Sequence, residues 1–182
     1  MKKILFLLLI AQILGFGQIT FEIGERVNFK NFPNSKGTDI SFNTPKNWKE
    51  STESYTLSNQ DENLVCCYID KEQTLIFQLY ISETPFGFLS KSKVKEMYTK
   101  ETFLKQITSN PTLEVMSYNV VVIGNYPFIR MTATSGRGIQ KQVNYMTFFK
   151  DKYINIVASS LTQDFDLVYP FYKLIGETVT LK

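Results

Sequence analysis

The chain has 182 residues, a formal net charge of +3, two cysteines and no histidine. The missing histidine excludes Ser-His-Asp and Cys-His catalysis and removes the usual nitrogen ligand of zinc, copper and non-haem iron, leaving carboxylates, Lys, Tyr or a bare thiol for any chemistry. Lys2 and Lys3 belong to the leader described next, and without them 18 basic residues face 17 acidic ones. A net charge of +1 argues against general nucleic-acid binding, which rests on many phosphate contacts.

The first 17 residues have the layout of a secretory signal peptide. Lys2 and Lys3 precede an apolar run over 4–14, and the small residues Gly15 and Gly17 stand just before Gln18. The run is shorter than the roughly 20 apolar residues of a membrane span. Neither cysteine lies near it, so there is no candidate for lipid attachment. Residues 18–182 are expected to form one domain, long enough for a substantial core, and to be periplasmic or secreted.

A leading arm with a short strand at 19–23 comes first. Ile40 and Phe42 alternate with polar neighbours as a half-buried strand does. Pro45 ends that strand and Trp48 follows in a turn. "LVCCYID" and "TLIFQLYISE" form the next two strands, joined by the polar connection "DKEQ". The period then changes: Val94, Met97, Tyr98, Leu104 and Ile107 fall on one helical face with lysines opposite, and Thr99 and Thr102 weaken the middle. Pro111 stops the helix.

From Thr112 to Leu161 the pattern is a four-strand meander. Its connections are "GN" at 124–125, "SGRG" at 135–138 and "KDK" at 150–152, where the glycines supply the backbone angles of tight hairpins. The last element is a helix with Thr162 as its N-cap and Asp164 and Asp166 in its first turns. Its stripe is Phe165, Val168, Tyr169, Tyr172 and Ile175, interrupted by Pro170. An antiparallel sheet covered by helices is an α+β arrangement of the α/β/α sandwich type.

Several groups invite a chemical reading. Cys66 and Cys67 are adjacent, but a trans peptide holds their Cα atoms about 3.8 Å apart, closer than ordinary disulfides allow, and a strand points neighbouring side chains to opposite faces. Two unbonded thiols, one on each face, follow. "TSGRG" lacks phosphate-loop spacing and a following helix, and fits a hairpin turn. The acidic residues form no pair assignable to acid–base work. A partner or ligand surface is best sought at Trp48, the only tryptophan, and at Lys91, Lys93 and Lys95 of the basic helix face, against the plain alternatives of packing and a solvated face. No cofactor and no metal site are expected.

"ISFNTPKNWKE", "GNYPFIRMTATSG" and "KDKYINIVASSLTQDFDLVYPFYKLIGETV" together resemble the PsbP-like fold, shared with the Mog-type Ran-binding proteins and the DcrB family of bacterial envelope proteins. The resemblance covers roughly 38–178. It implies a PsbP-like α+β domain and a non-catalytic role: an exported partner-binding, accessory or chaperone-like protein of the bacterial envelope, with a protein partner, no nucleic acid and peripheral membrane contact as a further expectation. Two alternatives stand beside it: a carrier of a small apolar ligand or lipid, and a histidine-independent hydrolase.

Overall fold

The structure is a computed structural model that describes residues 21–51 and 61–182. Its strands are β1 (Ile23–Asn28), β2 (Ile40–Pro45), β3 (Lys49–Ser51), β4 (Leu64–Ile69), β5 (Ile76–Glu83), β6 (Glu114–Ile123), β7 (Tyr126–Ser135), β8 (Gln140–Phe149), β9 (Lys152–Leu161) and β10 (Thr180–Leu181). Its α-helices are α1 (Lys91–Met97), α2 (Glu101–Thr108) and α3 (Thr162–Glu177). The expected signal peptide lies outside the described residues.

A seven-stranded sheet has the order β3-β4-β5-β9-β8-β7-β6, and a three-stranded sheet the order β1-β2-β10. All pairings are antiparallel. The chain leaves the large sheet after β5, passes through α1 and α2, re-enters at the far edge as β6, and returns by the meander until β9 docks on β5. The fold is the expected α+β class, an antiparallel meander packed with helices.

The hairpins follow from local chemistry. Gly124 and Asn125 both have positive φ, +53° and +68°, which suits the two-residue turn between β6 and β7. A Cβ at Gly124 would also lie 2.7 Å from the Val179 carbonyl oxygen. Between β4 and β5, Asp70 Oδ1 accepts from the backbone N–H groups of Thr74 and Leu75 at 2.7 and 2.9 Å. That carboxylate closes the connection as a backbone turn would.

The register assigns each sheet face. Leu79, Ile156 and Tyr145 stand in one cross-strand row, as do Phe77, Ala158 and Val143. These meet α3, whose buried residues are Phe165, Val168, Phe171, Tyr172, Ile175 and Gly176. Burying each such large apolar side chain is worth roughly 1.5–3 kcal/mol. Tyr172 Oη donates to the Ser159 carbonyl at 2.6 Å, so its ring enters the core with its hydroxyl satisfied. On the opposite face, Phe103 of α2 packs on Phe148 at 6.0 Å and on Tyr98 at 6.2 Å.

Three expectations change. The first described strand starts at Ile23, leaving Phe21 and Glu22 outside it, while 19–20 fall beyond the described residues. It is placed by pairing with β2 and by Arg26, whose guanidinium donates to Thr180 Oγ1 at 2.5 Å, Ser41 Oγ at 3.1 Å and the Thr178 carbonyl at 3.1 Å. The basic helix is two helices, because Thr99 Oγ1 donates to the Glu96 carbonyl and Lys100 is extended. That side-chain bond offers the carbonyl an alternative to helix continuation. Thr162 is the first residue of α3 rather than its cap: Leu161 holds the cap position, and Thr162 Oγ1 donates to the Gly138 carbonyl instead. The helix runs through Pro170 from Thr162 to Glu177.

Candidate functional site

Cys66 stands opposite Leu79 and Cys67 opposite Gln78 in the β4–β5 ladder, so the two thiols point to opposite faces as the pleat requires. Both are free and buried. Burial pushes the Cys66 thiol well up, with Cys67 and Glu50 adding to it. Burial pushes Cys67 up to about 11, although the Gln78 amide opposes it. Neither is a nucleophile near neutral pH, since the thiolate is the reactive form. Among the described residues no group of three Cys, Asp or Glu could hold a metal ion.

Trp48 and the lysines do not form one surface. Trp48 sits in the β2–β3 connection, half-buried, with its ring 5.9 Å from Phe171 and 6.5 Å from Tyr172 of α3. Lys91, Lys93 and Lys95 are exposed on α1, across the sheet from α3. Lys93 and Lys100 both pair with Glu96 at 3.1 Å, and these hydrogen bonds hold the Glu96 carboxyl below its usual range.

Two features stand out instead. The first is β6, the terminal strand of the large sheet. It is ten residues long, carries neither Pro nor Lys, and exposes Met116, Val120 and Val122, the last at 73%. Sheet edges are normally blunted by shortness or charge. The opposite edge, β3, fits that rule with three residues that include Lys49 and Glu50. β6 does not.

The second is a cleft of about 230 Å³ on the face away from α3, walled by the end of α2 and the chain leading into β6. Its floor is built by β8 and β9, with Gln142 opposite Ser159, Asn144 opposite Val157 and Met146 opposite Asn155. Asn144 is 2% exposed; its Oδ1 accepts from Gln142 Nε2 at 3.2 Å, while its Nδ2 has no partner among the described residues. Asn155 Oδ1 is likewise buried and without a partner among the described residues. Among the described residues, no charged side chain lines the cleft. Neither β6 nor these amides were singled out from the sequence. The available sign was asparagine in the middle of two strands, where it is normally depleted.

Comparison with models of known families and with curated proteins finds no match. Solved structures do match in fold. The solution structure of cyanobacterial PsbP (CyanoP) from Synechocystis superposes with a TM-score of 0.56 at 12% identity, covering 92% of this chain and 96% of that one. LpqN of Mycobacterium tuberculosis, described as involved in cell envelope biogenesis, gives a TM-score of 0.50 at 13% identity, covering 95% and 96%. A Bacteroides thetaiotaomicron crystal structure gives 0.52 at 12% identity over 87% of this chain and 48% of the other, so this chain spans about half that protein's length. The architecture is therefore PsbP-like. At such identities the likeness concerns the fold, and the site must carry the function.

Proposed function

We propose that this chain is an exported, non-catalytic accessory or chaperone-like module of the bacterial envelope that holds an extended segment of a protein partner on β6. The observation that carries this reading is the edge itself, which pairs with no further strand among the described residues. A ten-residue strand, regular from Ser117 to Ile123 and exposing Met116, Val120 and Val122, is suited to accept one more strand, with main-chain hydrogen bonds giving affinity and alternate side chains giving specificity. The inert thiols fit a binding role, and the PsbP-like fold supports it as an analogy. The carrier alternative draws on the cleft between sheet and helices, but its amide floor suits a polar ligand better than a lipid tail.

The test is a pull-down from native envelope with the tagged protein and with a V120K/V122K variant. The expected result is a captured protein that the variant loses. Equal capture by both, or substrate turnover by the purified protein in a hydrolase screen, would refute the reading.

A further inference from the structure

The turn between β5 and α1 carries two aromatic rings that the core does not take in. Phe88 is 73% exposed and Phe86 48%. Gly87 between them has a φ of +65° and open space around it, so the two rings stand at the tip of the turn. The base of the turn is held. Thr84 N–H donates to the Asp151 carbonyl at 3.0 Å, Leu89 N–H donates to the Lys150 carbonyl at 2.7 Å, and the Phe86 ring lies 5.5 Å from Phe148. Pro85, Phe86 and Ile107 continue the apolar surface as a shallow groove. Contiguous apolar surface left in water marks a place of contact.

The same pinning assembles positive charge. The β8–β9 turn that holds the base of the aromatic turn belongs to a surface shared by Lys30, Lys36, Lys150 and Lys182. Lys91 follows in the first turn of α1. All five are exposed, and among the described residues none of them forms an ion pair. The neighbouring carboxylates are engaged elsewhere: Glu83 and Asp151 pair with Lys152 at 3.0 and 3.1 Å, and Asp39 Oδ1 accepts from Asn28 Nδ2 at 2.9 Å. Four stretches far apart in sequence thus place free ammonium groups around one pair of projecting rings.

We propose that this end of the sheet docks on an anionic phospholipid surface. Phe86 and Phe88 enter the boundary between head groups and acyl chains, and Lys30, Lys36, Lys91, Lys150 and Lys182 meet lipid phosphates. A bilayer supplies both environments at once, and the strength of such contact is the sum of buried apolar area and electrostatic attraction. Long lysine side chains reach mobile head groups without needing a fixed mate for each charge. The β6–β7 turn lies at the same end, with Tyr126 5.3 Å from Phe149, so β6 rises from the lipid surface with its edge free. The docking surface is separate from that edge, and the two proposals stand or fall independently.

The experiment is cosedimentation of the chain without its leader, 18–182, with vesicles of equal parts phosphatidylglycerol and phosphatidylcholine and with vesicles of phosphatidylcholine alone. Binding to the first only is expected, falling as salt is added. Phe88→Ser should weaken it about tenfold. Lys30→Gln together with Lys150→Gln should weaken it about twentyfold, at about fivefold per lysine. All three positions are exposed, so the unfolding midpoint should stay unchanged. In a Trp48→Phe background, the indole introduced by Phe88→Trp should shift blue on the anionic vesicles and be quenched by acyl-brominated lipid. No binding to the anionic vesicles, parent-level binding by Phe88→Ser or by the double lysine variant, or unchanged indole emission would each overturn the proposal. So would loss of envelope-protein capture by Phe88→Ser without any vesicle binding, which would assign the turn to a protein partner.

Discussion

Gly176 of α3 lies against the ring of Tyr145 so closely that a Cβ at position 176 would sit 2.7 Å from two of its ring carbons. Tyr145 is 1% exposed on β8, with its ring between the large sheet and α3. The last helix approaches the sheet as near as it does because this turn has no side chain.

Gly176→Ala sets two effects against each other. Alanine favours the helix by about 1 kcal/mol, while forcing a methyl into a packed core typically costs 1–3 kcal/mol. With a buried aromatic ring as the obstacle, the clash should win by about 1–2 kcal/mol, a fall of roughly 3–6 °C in Tm for a chain of this size. Thermal unfolding followed by circular dichroism checks it. Tyr145→Leu in the same chain should remove most of the additional loss, as expected for two side chains in contact. Additive losses would show that the clash is not the cause.

Alkaline pH should destabilise the fold through its buried thiols and phenols. Burial raises Cys67 to about 11 and Tyr98 to about 12 in the folded protein. Their ordinary values are 9.0 and 10.0. A raised folded value means that the unfolded chain loses its proton first. Stability is therefore intact below pH 9, declines between pH 9 and 11 on account of Cys67, and declines between pH 10 and 12 on account of Tyr98. Urea midpoints at pH 7, 9 and 11 should fall in that order. Cys67→Val should flatten the part of the slope between pH 9 and 11, and an unchanged slope would refute the assignment to this thiol.

The elements that the sequence made legible are those set by local chemistry. The β4–β5 hairpin and the meander β6–β9 followed from apolar runs cut by Asp70, Gly124–Asn125 and the Gly136–Gly138 turn, each with its own turn mechanism. Long-range pairing was not legible. Nothing local states that Thr180 and Leu181 join Ser41 and Ile40, or that β5 pairs with β9 and leaves β6 at an edge. Both notable surfaces depend on those choices. Val122 reads as a core valine until its strand is known to be terminal. Asn144 and Asn155 are 11 positions apart, and only the β8–β9 register makes them neighbours.

Reversing the charges of Lys91, Lys93 and Lys95 to Glu should leave the unfolding midpoint essentially unchanged. The three are exposed on α1, and exposed ion pairs such as Lys93–Glu96 contribute little. Their expected effect is on membrane contact. Cosedimentation with anionic vesicles should weaken in the triple variant and with added salt, whereas neutral vesicles should bind neither protein. Equal cosedimentation of both proteins would dismiss this face as a lipid contact.

Trp48 separates packing from recognition most directly. It is the sole tryptophan, and its ring lies tilted against Phe171 and edge-on to Tyr172, so its emission should report the docking of α3 and shift red on unfolding. Its half-buried position makes Trp48→Ala cost less than the 3–5 kcal/mol of a fully buried ring, about 2 kcal/mol. Trp48→Phe keeps an aromatic contact and should recover most of that loss. Envelope capture should then track the folded fraction: Trp48→Phe captures normally, and Trp48→Ala does so below its unfolding temperature. A Trp48→Phe protein of full stability that loses its partner would place the ring in a binding groove and move the contact surface from the β6 edge to the α3 side.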